Sequence, residues 1–191
     1  MKDLILDLIP HAPKLGLYVT PDVPEDKVRG ALKDYATDVR PDEVVALYDA
    51  TLMGSAKDGA VFTSDRLVFQ NNDLEPAQIV RYQDLVRVEK KRKLLGGQKV
   101  YLNVNRGRAT FDLALDFSGK PEAAEFVARF LHEAMLRGAA DEMDAKTGGT
   151  PGQTSAGTDL EAVVRALDEL REQGLLADAD YAVMLDALRK G

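Results

Sequence analysis

The chain has no cysteine among its 191 residues, so disulfides and thiolate chemistry are both excluded. That absence is neutral about compartment. Histidine is scarce: His11 and His132 lie in separate stretches, and neither has a carboxylate at the HxxE or ExxH spacing of a helical metal site. His132, beside Glu133, reads as a helix-edge residue. No apolar run approaches the roughly 18 residues of a membrane span. The opening MKDLILDLIPHAP places Asp3 and Asp7 beside its short apolar run, which predicts that it is not a secretory signal. No GxSxG, Walker-type or GxGxxG pattern occurs. The expectation is a cytoplasmic, non-enzymatic protein with no cofactor and no metal.

What is present supports a folded core. Apolar residues make up 45% and charged residues 30% of the chain, enough for one substantial domain plus an appendage. The net charge of −7 is unevenly placed. Residues 1–137 carry 20 basic and 21 acidic side chains, whereas residues 138–191 carry 5 and 11. The acidity therefore sits in the tail, which argues against general nucleic-acid binding but leaves room for a local basic patch.

Along the chain the period changes twice. Pro10, Pro13 and Pro21 break up residues 1–23, with space for a short helix at Leu4–Ile9. Pro24, Glu25 and Asp26 suit a helix start. Val28, Ala31, Leu32 and Tyr35 then predict an amphipathic helix over 24–37 that packs on the following domain, with Lys27, Arg29, Lys33 and Asp34 on its other face. Seven strand-like runs follow at 44–51, 60–65, 66–71, 79–85, 86–93, 99–104 and 109–117. Turn chemistry lies between them at Asp58–Gly59, Asn71–Asp73, Gly96–Gly97 and Arg106–Gly107. In the last run, Phe111, Leu113, Leu115 and Phe117 alternate with polar or small residues, as in a strand with one buried face. Lys120–Pro121 opens a helix with Ala124, Val127, Phe130, Leu131 and Ala134 on one face, ending near Arg137–Gly138. The fold expected is α+β: a seven-stranded antiparallel barrel or sandwich over 41–137, capped by that helix and preceded by an extension over 1–40.

Residues 138–158, with GGTPGQTSAGT, read as a flexible linker. Thr158 to Glu161 forms a capping-box pattern, and Leu160, Val163, Val164, Leu167 and Leu170 mark one helical face. Gly174 ends that helix. Leu175 and Leu176 lead to a second one bearing Tyr181, Met184, Leu185 and Leu188. About 33 residues cannot bury a sufficient core alone, so these apolar faces predict oligomerisation or recruitment of a partner.

Seven strands followed by a closing helix resemble the pleckstrin-homology-like fold as seen in bacterial proteins. The stretch VVALYDATLMGSAKDGAVFTSDRLVFQ and the tyrosine-containing IVRYQDL carry that resemblance. Residues 159–190 resemble the SHOCT module, a short C-terminal helical pair, through Leu167, Leu170, Gly174, Leu175, Leu176, Tyr181 and Leu185. They depart from it at Ala177, where Asp178 would supply the cap. The two resemblances imply a scaffold or adaptor: one domain docks a protein partner, and the hairpin mediates homo-oligomerisation or recruitment. Neither implies catalysis.

Three carboxylates stand out. Asp58 and Asp65 read as turn residues. Asp49 is polar inside an apolar run and is expected to accept bonds from the loop 54–57. Thr51, Gly54, Ser55 and Lys57 occupy that loop; pleckstrin-homology-like domains often contact ligands there, including phosphoinositides. The other reading is a tight connection that needs Gly54 for its backbone.

The densest charge lies at Arg87, Lys90, Lys91, Arg92, Lys93, Lys99, Arg106 and Arg108, opposed within 87–108 by Glu89 alone. Three readings follow: a solvated, lysine-protected edge that the acidic tail can also pair with; a surface for anionic membrane or acidic protein, with Leu94 and Leu95 at the tip; or a nucleic-acid site, disfavoured because Tyr101 is the only aromatic nearby. The alternative function is therefore a peripheral membrane module binding anionic lipid through 87–108.

Overall fold

The computed structural model describes residues 1–92 and 97–147, with side chains through residue 140. It is an α+β domain of two antiparallel sheets and three α-helices among the described residues. Helix α1 spans Lys2–Leu8 and α2 spans Glu25–Asp34, while α3 spans Ala123–Thr147. The first sheet holds β1 Leu17–Val19, β2 Ala46–Asp49, β3 Gly59–Phe62, β4 Arg66–Gln70 and β5 Gln78–Arg81, in that spatial order. The second holds β6 Leu85–Arg92, β7 Gln98–Arg106 and β8 Ala109–Asp116.

Two expectations about the sheet need correction. The strands number eight, not seven, because the extension supplies β1, pairing Leu17 with Tyr48 and Val19 with Ala46. The sheets also do not close into a barrel, because no strand of the second sheet pairs with β1 or β5. Three residues between prolines carry no periodic signal; β2 alone makes them a strand.

Both faces of the first sheet are covered. Tyr48, Phe62, Leu67, Phe69 and Val80 point toward α1, α3 and the inner face of the second sheet, where Val100, Leu102, Leu115 and Phe117 are buried. Leu47, Val61 and Val68 point the other way, toward Ala31, Tyr35 and Ala36 at α2. Burial on both sides explains why β2 to β4 read as solid apolar runs rather than alternations. Helix α2 packs as expected, although it ends at Asp34: Tyr35 leaves the helix at φ −122° and is itself buried.

Local chemistry sets the turns. The Thr63 hydroxyl donates to the Asp65 carboxylate at 2.7 Å and accepts the Arg66 N–H at 3.1 Å, which tightens the β3–β4 hairpin. The buried Tyr82 hydroxyl lies 3.1 Å from the Thr63 carbonyl and 3.0 Å from that of Arg66, pinning the same turn from beneath. The run expected over 79–85 therefore breaks at Tyr82–Asp84, a 3-10 turn between the sheets.

Helix α3 closes the core with Val127, Phe130, Leu131 and Ala134, all fully buried. The Phe130 ring meets Tyr82 edge to face at 5.3 Å and Phe62 at 5.8 Å. Gly138 does not end this helix, contrary to expectation. A Cβ there would stand 3.2 Å from the Gln83 Cα, so the glycine lets α3 pass close to the 3-10 turn and continue to Thr147. Among the described residues no helix is long and apolar enough to cross a membrane. Residues 148–191, which include most of the expected linker and all the helical-hairpin residues from Leu160 to Leu188, lie outside the described residues.

Candidate functional site

The best-organised polar cluster centres on Asp49, whose side chain is 1% exposed. It sits at the end of β2 on the face that looks toward α2. Its Oδ1 accepts from the Thr51 N–H at 2.9 Å, the Thr51 hydroxyl at 2.6 Å and the Ala56 N–H at 3.3 Å, which meets the expectation that it serves this loop. Its Oδ2 accepts from Lys27 Nζ at 2.7 Å, and the same ammonium donates to the Gly54 carbonyl at 2.6 Å. From the opposite side, Lys120 donates to the carbonyls of Asp49 at 2.5 Å and Thr51 at 3.3 Å.

Two lysines therefore clamp one loop. Lys27 was expected on the solvent face of its helix, yet its side chain is only 12% exposed and lies 5.0 Å from the Tyr18 ring centroid. Burial alone would push the Asp49 carboxyl up, but the bonds from Lys27 and Thr51 outweigh it and hold the carboxyl below its ordinary value. Burial likewise opposes the charge on Lys27, and Asp49 reverses the shift, raising its pKa. Lys120 is lowered by burial and by nearby Lys27.

The clamp holds an unusual backbone. Gly54 has φ +74°, and Ala56 has φ +53°, rare for a residue with a side chain. Gly54 thus serves the backbone reading of this loop. The result is a fixed loop that displays large apolar side chains: Leu52 is 97% and Met53 90% exposed. Leu74, in the β4–β5 loop, is 95% exposed. These loops leave the same end of the sheet, because Gly59 pairs with Asp49 on one side and Gln70 on the other. Asn71 fastens the second loop to β8, donating to the Ala114 carbonyl at 2.8 Å and accepting from the Asp116 N–H at 2.9 Å.

The basic residues do not form one patch. Strands β6 and β7 pair as expected, and Lys91 stands opposite Lys99. Arg106 and Arg108, however, flank the β7–β8 turn at the other end of β7, seven residues or roughly 23 Å from Lys99. Alternation along β6 also separates Arg87 and Lys91 from Lys90 and Arg92. Most of these charges have partners. Glu89 pairs with Arg87 and, at 2.7 Å, with Lys91; Lys90 pairs with Glu125 of α3; Lys99 pairs with Asp116 at 3.3 Å. The bond from Lys91 leads in holding Glu89 below its ordinary pKa. Arg92, Arg108 and Lys57 are exposed without an ion-pair partner among the described residues, and Lys93, Leu94 and Leu95 lie outside them.

A bulge between Leu85 and Arg87 turns Val86 outward at 55% exposed, while Leu85 is buried and Val88 half-buried. The candidate carboxylates behave as turn residues. At Asp65, burial favours the neutral acid, but bonds from Thr63 and Arg66 win and lower its pKa. Asp58 is raised by burial and by the carboxylates of Asp73, Asp34 and Asp49. His11 lies edge-on to Tyr18 at 5.9 Å, and His132 is exposed on α3. Among the described residues no group of three or more His, Asp or Glu side chains is placed to hold a metal ion.

Sequence reasoning missed Lys27, Lys120 and the exposed trio. The one available signal was apolar Leu52–Met53 directly before a Gly-Ser loop. No protein-family model, curated protein or solved structure matches the chain.

Proposed function

We propose that the chain is a non-enzymatic docking protein, whose pleckstrin-homology-like domain engages a protein partner through the clamped loop end and whose C-terminal residues 159–191 mediate assembly. The observation that carries this reading is Leu52 and Met53, almost fully exposed on a loop whose base is fixed by two half-buried lysines. A loop fastened by buried charge has lost its conformational freedom before any partner arrives, which lowers the entropic cost of docking. Covering each large apolar side chain is worth roughly 1.5–3 kcal/mol. Asp73 and Glu75 flank Leu74, and this acidity favours a protein surface over an anionic bilayer. The test is the affinity of a purified partner for the Leu52→Ser, Met53→Ser double variant. A loss of at least about thirtyfold with unchanged thermal stability is expected, since about 2 kcal/mol of binding would go. Unchanged affinity would refute the reading.

A second reading, binding of anionic membrane, draws on Lys91 opposite Lys99 on one face of the β6–β7 pair and on exposed Arg92 at the end of β6. It predicts co-sedimentation of the chain with phosphatidylserine vesicles at low salt, lost on Lys91→Ser, Arg92→Ser, Lys99→Ser substitution.

A further inference from the structure

At the seam where the two sheets fail to close, away from the loop end, one edge of the first sheet is left without a neighbouring strand. Among the described residues, strand β5 has β4 as its single neighbouring strand. The bond from the Tyr82 N–H to the Asp65 carbonyl at 3.2 Å sets the phase of that ladder. Leu67–Val80 and Phe69–Gln78 are therefore the bonded pairs, and the N–H and C=O of Ile79 and Arg81 point away from β4. One of these groups is already in use. Arg106 reaches across from the second sheet and donates to the Ile79 carbonyl at 2.9 Å, while its guanidinium lies 5.6 Å from the Phe111 ring centroid. Phe111 heads the alternation expected to be buried along β8, yet it is 45% exposed; Ile79 is 44% exposed. An outward-facing strand edge, two uncovered apolar side chains and a bridging arginine thus meet at one seam.

The charge on the other side of the edge is also specific. Arg66 and Arg81 stand directly opposite each other on β4 and β5, an arrangement that costs stability unless the charge is met. Arg66 meets Asp65 at 3.1 Å and Asp38 at 3.8 Å, but Arg81 has no ion-pair partner among the described residues. Both arginines line a cavity of about 500 Å³ with Asp38, Asp65, Ile79 and Gln83.

We propose that the outer edge of β5 takes an extended peptide as a sixth strand of the first sheet, its alternate residues acidic toward Arg81 and apolar toward Phe111. Added strands align their side chains with those of the edge they join, so one face of the peptide looks into the cavity and the other toward the second sheet. The main chain supplies partners for Ile79 and Arg81, and a carboxylate supplies the missing counter-charge. Arg106 guards the edge in the free protein and must release the Ile79 carbonyl for the peptide to pair along its full length.

The test is amide hydrogen exchange on the intact chain, with and without an acetylated hexapeptide of alternating valine and glutamate. The Ile79 and Arg81 amides should exchange at least about tenfold more slowly with peptide, and Arg81→Glu should weaken binding at least about tenfold, or about 1.4 kcal/mol, since it sets two like charges against each other. Arg106→Ala, which unguards the edge, should keep or tighten binding. The Leu52→Ser, Met53→Ser variant should bind this peptide as the unaltered chain does, so failure here is separable from failure of the loop-end reading. No added protection at the peptide's solubility limit, or equal binding by Arg81→Glu, would overturn the proposal.

Discussion

Replacing Asp49 with alanine removes the acceptor at the centre of the loop clamp and strands Lys27 at the base of α2. Breaking a buried ion pair from one side costs about 3–5 kcal/mol, because the remaining charge is left without compensation. Lys27 keeps a 12% exposed side chain and its bond to the Gly54 carbonyl, which pulls the figure toward the lower end. The Thr51 N–H loses its acceptor as well, and a donor left unpaired costs about 1–3 kcal/mol, whereas the Ala56 N–H keeps the Thr51 hydroxyl at 3.3 Å. These contributions overlap, so Asp49→Ala should lower stability by about 4 kcal/mol and Asp49→Asn, which keeps an acceptor oxygen, by about 2 kcal/mol. The Lys27→Met, Asp49→Asn double-mutant cycle should show a coupling of about 1–3 kcal/mol. The chain has no tryptophan, so urea denaturation is best followed by circular dichroism and tyrosine fluorescence. A loss below about 1 kcal/mol for Asp49→Ala, or a coupling near zero, would refute the clamp.

The same pair fixes a pH window. The Asp49 pKa is depressed, so its contribution is complete above the ordinary 3.8 and lost as pH falls through the lower folded value; the Lys27 pKa is raised, so its contribution is complete below 10.5 and lost as pH rises through the higher folded value. The stability difference between the unaltered chain and the Lys27→Met variant should therefore stay flat from about pH 5 to 9 and shrink in acid. Phe130→Ala should cost about 3–5 kcal/mol in the same denaturation assay, because the ring is fully buried between Tyr82 and Phe62. Gly138→Leu should lower the melting temperature despite better helix propensity, since its Cβ meets the Gln83 backbone at 3.2 Å; a rise would show that α3 does not need that close approach. Light scattering should give the intact chain a mass above a monomer and a chain ending at Thr147 a monomer's mass; a monomer in both would remove the assembly role of residues 159–191.

The strands from β2 to β8 were legible because each apolar run is bounded by residues that turn the chain, such as Asp58–Gly59 and Arg106–Gly107. Strand β1 was not, since its three residues owe their conformation to β2. The role of Asp49 was legible in outline, as a polar residue in an apolar strand must find donors. Its main partner was hidden: Lys27 lies 22 residues away, and helical periodicity assigned it to the solvent face. Gly138 read as a helix stop because a pattern cannot distinguish a cap from a close crossing. Charge counting found the basic residues but could not see that one hairpin sends Lys99 and Arg106 to opposite ends.

In the proposed function the clamped loop end, and not the basic strands, meets the partner. Position-resolved photo-crosslinking in the source cells tests it most directly, with a benzophenone amino acid at Met53, Leu74, Arg92 or Arg108 in turn. One discrete adduct of the same mass is expected from Met53 and Leu74, none from Arg108, and the Met53 adduct should be lost when Asp49→Ala releases the loop. An adduct from Arg92 with none from Met53 or Leu74 would contradict it.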